Sequence, residues 1–362
     1  MLSELLEEIS HRFLAIDDVL CDVSQAIVFG AGGSGTHAIR VLQSFGITIV
    51  CVCDNDRQRQ GGLISGIPII APEQLRDYQN TIVFVASDWG MDIGRQLQQL
   101  GVKYFYLGFA FDFERWKKHY VPEQILGAAE QIEAAYALMS DESSRATYRA
   151  LLKYRLTLDS EFFIPAEFPQ YYHPLVSLER GDVILDGGTW SGDSALEFSH
   201  GLDKNCTIYS FEPEADNYQR LLVTIEAEKL NSVVVPCQFG MWKETTTLSF
   251  TTALENSMQY HVSDSGDKKI AVTSIDDFSR ERGLKVDVIK MDIEGSEVNA
   301  LAGAAETLMR DRPRLIISAY HEPDDMWQVP LMIHAINPDY RCYFAHHRQS
   351  PFDYVLYARC VA

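Results

Sequence analysis

Val183-Ile-Leu-Asp-Gly-Gly-Thr-Trp-Ser-Gly-Asp193 carries the decisive pattern of this chain: a short apolar strand, a glycine-rich turn, and the start of a helix. Twenty-six positions beyond Asp186 comes Glu212, in Phe211-Glu-Pro213 at the end of a second apolar strand. α/β proteins hold nucleosides with such pairs. Glycines let a ligand approach the backbone, and the strand-end acid accepts hydrogen bonds from ribose hydroxyls. Asp186, Gly188, Gly192 and Glu212 are therefore the candidate cofactor-binding residues of this half.

Strands and helices alternate on both sides of this stretch. Upstream of it, Ala26-Ile-Val-Phe29 precedes Gly30-Ala-Gly32-Gly-Ser-Gly35 and a helical run through Leu42. This is G-x-G-x-x-G between a strand and a helix. The next strand, Ile47–Cys53, delivers Asp54 19 residues after Gly35, where a ribose-binding acid is expected. Gly30, Gly32, Gly35 and Asp54 thus form a second candidate nucleotide site, for NAD or a sugar nucleotide. The alternative is that these glycines serve only tight strand-to-helix packing. Ile82–Ala86 and Tyr104–Leu107 read as further parallel strands.

Residues 112–180 read as a helical connector. Ile125, Ala128, Ala129, Ile132, Ala135 and Tyr136 recur at helical spacing, and Ser140–Ser144 can cap a following helix. An aromatic loop with Tyr171, Tyr172 and His173 follows. Beyond it, Thr207–Phe211, Val233–Val235, Val286–Met291 and Leu315–Ser318 alternate with helices. One helix should carry Val298, Leu301, Ala305 and Leu308. Tyr340–Ala345 and Tyr354–Arg359 should pair antiparallel across a Gln-Ser-Pro turn. The expected fold is α/β with two Rossmann-like domains, 1–111 and 181–362, joined by the connector 112–180. The C-terminal domain should be a mostly parallel seven-stranded sheet ending in an antiparallel hairpin.

The 362 residues include 46% hydrophobic ones, enough for two cores. A formal charge of −20 disfavours nucleic acid as a partner. The acidic start lacks the basic residues and unbroken apolar run of a signal peptide, and no run approaches the ~20 residues of a membrane helix. The seven cysteines show no metal-type spacing. Cys51 and Cys53 should point to one face of a buried strand as reduced thiols. A cytoplasmic protein is expected.

The C-terminal half resembles the FkbM family of methyltransferases. The resemblance rests on Ile184–Gly192, Phe211-Glu-Pro213 with Asn217-Tyr218, Val272–Phe278, Ile289-Lys-Met-Asp-Ile-Glu-Gly-Ser-Glu297 and Ser318–Trp327, in that order. It implies a class I methyltransferase fold, S-adenosylmethionine as donor, and O-methylation of a hydroxyl on a saccharide or related small-molecule acceptor. Thr189-Trp190 departs from the Ala-Asn usual in the first turn. Trp190 could close over the methionine end or pack beneath the helix. The N-terminal part, with Asp54-Asn-Asp and Gly66-Ile-Pro68, looks like an appended sugar-nucleotide-type Rossmann domain.

The catalytic candidates are Asp292, Glu294 and His321, because strand ends on the carboxyl side of the sheet converge on the ligand. An imidazole near pKa 6.5 suits a base, but His321 could equally hold a substrate hydroxyl or brace its loop. Glu294 and Glu297 would favour a helix N-terminus. Lys290, level with Asp292 in strand alternation, is expected to pair with a carboxylate. Asp292, Glu294 and His321 would suit Mg²⁺ or Mn²⁺, but their spacing is no established metal motif and no metal is assigned. His346 and His347 face opposite sides of a strand and cannot readily share an ion. The other readings are an NAD-dependent or nucleotide-sugar-modifying enzyme, or a nucleotide sensor.

Overall fold

The computed structural model describes residues 1–9, 23–78, 80–87, 89–102, 105–107, 122–157, 162–252, 260–262, 268–347 and 352–361. Two compact units emerge. One comprises Met1–Ala129, Ala146–Pro165 and Arg348–Asp353; the other comprises Glu130–Arg145, Ala166–His347 and Tyr354–Ala362. The helices expected as a connector are thus shared between the units. Residues 112–121 and the Gln349-Ser-Pro351 turn lie outside the described residues. So does most of 253–268.

The first unit holds a six-stranded sheet in the order β3-β4-β2-β1-β5-β6. These strands are Gln25–Phe29 (β1), Thr48–Cys53 (β2), Leu63–Ile64 (β3), Ile67–Ile70 (β4), Ile82–Val85 (β5) and Phe105–Leu107 (β6). All neighbours are parallel except β3 and β4. Ile27, Phe29, Cys51, Cys53, Val83, Val85 and Leu97 form its core. Each large apolar side chain so buried contributes about 1.5–3 kcal/mol. Cys51 and Cys53 share this core as free thiols, and burial pushes the Cys51 pKa up to about 11.

The second unit holds a seven-stranded sheet, ordered β16-β17-β15-β14-β7-β8-β9. Its strands are Val183–Gly187 (β7), Thr207–Phe211 (β8), Val234–Cys237 (β9), Val288–Met291 (β14), Arg314–Ser318 (β15), Tyr340–His346 (β16) and Tyr354–Cys360 (β17). The first five run parallel; β17 pairs antiparallel with β15 and β16. Central parallel strands are covered on both faces, which is why they read as unbroken apolar runs. Ile184, Phe198, Ile208, Leu221, Val288, Ile316 and Tyr357 share one core.

A four-stranded sheet was not anticipated. Gly240–Met241 (β10), Thr246–Thr252 (β11), Tyr260–Val262 (β12) and Lys268–Thr273 (β13) assemble as β10-β13-β11-β12. The expected helix bearing Val298 and Leu308 is also broken in two, Glu297–Ala302 and Ala305–Arg310. Gly303 causes the break: a Cβ there would lie 2.3 Å from the Trp242 carbonyl oxygen, so the chain passes at backbone distance. The helix Glu142–Thr157 starts as expected, with Asp141 Oδ1 accepting from the Ser144 amide at 2.7 Å. Among the described residues no helix is long and apolar enough to cross a membrane.

Candidate active site

In the second unit β7 lies between β8 and β14, so strand order reverses beside the carboxyl end of β7. Crevices at such reversals are where open α/β sheets take ligands. The register places Lys290 opposite Asp186 and Met291 opposite Gly187. Lys290, 1% exposed, sits with its Nζ 3.2 Å from Asp186 Oδ1. It also donates to the Gly187 and Gly188 carbonyls, both at 3.1 Å. The three contacts match the three donors of an ammonium. The expected carboxylate partner of Lys290 is therefore Asp186, and the pair fixes the glycine turn from beneath.

Gly188 cannot carry a side chain. Gly188 has φ +70, and a Cβ there would lie 1.8 Å from the Asp292 carbonyl oxygen. This links the turn to the β14 end, with Asp292 N donating to Gly187 O at 3.1 Å. Gly192 caps the next helix at φ +94 without a side-chain hydrogen bond, leaving the first-turn amides of Asp193–Gly201 open. Trp190 adopts φ +48 and is 36% exposed. The Thr189 hydroxyl, 2% exposed, has no hydrogen-bond partner among the described residues. A buried polar atom without a partner beside a glycine turn marks a place for a ligand atom.

Glu212 stands at the end of β8, 6% exposed, and accepts from the Glu214 amide at 3.0 Å. Burial outweighs this backbone bond and pushes its pKa up to about 7. The acid expected to meet a ribose is thus poised between its two charge states.

The structure brings Asp292, Glu294 and His321 together. Asp292 Oδ1 is 3.3 Å from His321 Nε2 and accepts from the Tyr320 hydroxyl at 3.1 Å; Oδ2 accepts from the Tyr171 hydroxyl at 3.1 Å. Desolvation alone would raise the Asp292 pKa, but the charges of His321 and Lys290 and the hydroxyl bonds overcome it. The carboxyl is held below its ordinary value. Glu294 Oε1 lies 4.0 Å from His321 Nε2.

Glu297, read from sequence as a helix-start acid, has a further task. Its oxygens accept from the Ile293 and Gly295 amides at 2.8 and 3.0 Å, closing the loop after Asp292. It also holds His321 Nδ1 at 2.8 Å. Burial would lower the His321 pKa, yet the carboxylates of Glu297, Glu294 and Asp292 raise it to about 10. These carboxylates favour the imidazolium form, whose Nε2 is ion-paired with Asp292, a role distinct from that of a base. Asp292, Glu297 and His321 each offer one ligand atom, all within 4.8 Å of one another. A cation among them would have to displace the imidazolium proton and compete with the loop amides for Glu297.

Tyr320 was not singled out in the sequence; its place between a strand end and His321 is the signal that could have found it. Of the aromatic loop, Tyr171 reaches the site, whereas the Tyr172 hydroxyl donates to the Glu197 carbonyl. His347 bonds Tyr357 through Nε2 at 2.8 Å, and burial lowers its pKa to about 4, consistent with a packing role. In the first unit Asp54 Oδ2 accepts from the Ala31 amide at 2.6 Å, and Gly30 and Gly35 are packed against backbone.

Residues 186–350 match the family model described as the methyltransferase FkbM domain, and residues 23–104 match that of the C2185-like N-terminal domain. Hexuronic acid methyltransferase AglP of Haloferax volcanii is 27% identical over 136 residues, covering 37% of this chain and 54% of the relative. The match therefore spans about half of that relative's length. The crystal structure of methyltransferase FkbM from Methylobacillus flagellatus KT superposes with a TM-score of 0.74 at 21% identity, over 98% of this chain and 93% of that one. The likeness in fold thus extends over both units.

Proposed function

Since the C-terminal half of this chain is a methyltransferase FkbM domain, we propose that it transfers a methyl group from S-adenosylmethionine to a hydroxyl of a saccharide or related hydroxylated metabolite. The observation that carries this reading is the ionised Asp292 carboxylate at the strand-order reversal, packed directly against the glycine turn. The sugar acceptor is supported by the name of the haloarchaeal relative.

The residues fit the donor. Gly188 and Gly192 give the turn its left-handed backbone, the buried Thr189 hydroxyl has no hydrogen-bond partner among the described residues, and Glu212 offers acceptors for a ribose diol. When bound, S-adenosylmethionine supplies an electrophilic methyl on a sulfonium. Asp292 would accept the hydrogen bond of the incoming hydroxyl and take up the proton that the hydroxyl sheds on methylation. The proton then passes to water. His321, Tyr171 and Tyr320 keep the carboxylate aimed, Glu297 keeps His321 in place, and Glu294 flanks the acceptor side.

Positioning can supply about 7–11 kcal/mol of barrier reduction, against about 10²–10⁴-fold from proton acceptance. Asp292→Asn should therefore lower kcat by about 10²–10⁴-fold while leaving S-adenosylhomocysteine affinity within threefold. The test is methyl transfer from labelled donor to a panel of hexoses and hexuronic acids, free and as glycosides. Transfer that is equally fast in Asp292→Asn, or no binding of S-adenosylhomocysteine by the folded protein, would end this reading.

A further inference from the structure

A cavity lies in the first unit, at the carboxyl ends of β1, β2 and β5, with a volume of about 560 Å³. Binding pockets for small ligands run from roughly 300 to 1,000 Å³. We propose that it binds a nucleoside diphosphate, with the diphosphate on Gly32-Gly33-Ser34 and Arg59 and the base against Trp89.

The glycines of the turn divide into two kinds. Gly30 and Gly35 are needed by the protein: their Cβ atoms would lie 2.6 Å from the Ala86 oxygen and 1.8 Å from the Gly30 oxygen. Gly32 and Gly33 are not. A Cβ at Gly33 would meet nothing within 4 Å, and one at Gly32 only the Arg59 Nη1 at 3.6 Å. Both line the cavity, at the start of the twelve-residue helix Gly33–Ser44, which has no side-chain cap. Bare backbone that packing does not require is what a phosphate needs at a helix N-terminus.

Two polar groups agree with this. Ser34 is 9% exposed and lines the cavity, yet its hydroxyl has no hydrogen-bond partner among the described residues. The Arg59 guanidinium lies over Gly32 and spends Nη1 on Asp54 and Nε on Asp56, at 3.3 and 3.4 Å. Its Nη2 has no acceptor among the described residues. Trp89 lines the same cavity at 71% exposure, a flat ring of the kind on which bases stack.

A dinucleotide fits less well. Its adenosine ribose would ask the strand-end acid for two acceptor positions. Asp54 has about four, and the Ala31 amide, the Asp56 amide and Arg59 take three. A ligand whose charge is read by the turn and Arg59, and whose ribose does not rely on Asp54, matches what is left.

The inference stands apart from the methyl-transfer reading. Its test is calorimetric titration of the full chain with uridine, adenosine, guanosine and cytidine diphosphates, with pyrophosphate and with NAD. S-adenosylhomocysteine serves as the check that the other site is intact. At least one nucleoside diphosphate should bind ten times more tightly than pyrophosphate and more tightly than NAD. Gly33→Leu, which meets no protein atom at its Cβ, should abolish that binding with an unchanged Tm and unchanged S-adenosylhomocysteine affinity. Arg59→Gln should weaken it at least tenfold and flatten its salt dependence. The proposal is overturned if no diphosphate binds at millimolar concentration, if pyrophosphate or NAD binds as well as every nucleoside diphosphate, or if both variants bind undiminished.

Discussion

Glu212 makes donor binding a function of pH near neutrality. Its carboxyl is raised to about 7 by burial, and the ionised form offers a ribose diol more acceptor sites than the protonated one. If only that form binds, the apparent Kd scales as 1 + 10^(pKa − pH). The factor is about 11 at pH 6 and about 1.1 at pH 8, so binding tightens about tenfold, or about 1.4 kcal/mol. The unliganded protein should move in the opposite sense. An acid whose folded pKa lies above its unfolded value stabilises below the unfolded value, and that contribution is lost as pH rises through about 7. Titration calorimetry with S-adenosylhomocysteine at pH 6, 7 and 8 measures the first effect, and Tm without ligand measures the second. Glu212→Gln should bind weakly at every pH and show neither slope. A Kd constant within twofold between pH 6 and 8, or a slope that survives in Glu212→Gln, would refute the reasoning.

Three further outcomes are expected. Gly188→Ala drives a Cβ to 1.8 Å from the Asp292 oxygen at φ +70; left-handed strain alone costs about 1–2 kcal/mol, so urea unfolding should show a larger loss and S-adenosylhomocysteine binding should vanish. His321→Gln removes the positive charge beside Asp292 and should lower kcat at least tenfold with the donor KM nearly unchanged, and should erase the fall in kcat expected of the native protein above pH about 10; an unaltered kcat would exclude the imidazolium from the mechanism. Tyr171→Phe deletes one hydroxyl bond to the Asp292 carboxylate, worth about 1.5–3 kcal/mol when the acceptor is charged, and should appear in kcat rather than in donor affinity.

Much of the second unit is legible along the chain. Thr207–Phe211 is read to the residue, because an apolar run bounded by polar residues has few alternatives to a buried strand. The convergence of Asp186, Glu212, Asp292 and His321 follows from one rule about strand ends. What is not legible depends on register and on distant packing. That Lys290 meets Asp186 requires knowing which residue of β7 lies opposite it. The small antiparallel sheet escapes notice because Thr246–Thr252 is rich in threonine, without a clear apolar face, and β10 is only two residues long. Nothing local to Glu142–Thr157 says which unit it packs with. His321 was readable as a titrating group, but its charge state depends on three carboxylates, all on another segment 24 or more residues away.

The buried Lys290–Asp186 pair also constrains how this protein can change. Neither side chain can be exchanged alone, since an uncompensated charge in that position costs about 3–5 kcal/mol, a large share of a typical domain's stability. Replacing both by apolar residues would restore the balance of charge, but not the two carbonyl bonds that shape the turn. Drift at these two positions is therefore correlated and confined. The loops around the acceptor carry no such coupling through this pair, so new acceptors can be explored by a lineage while the floor of the donor site stays fixed.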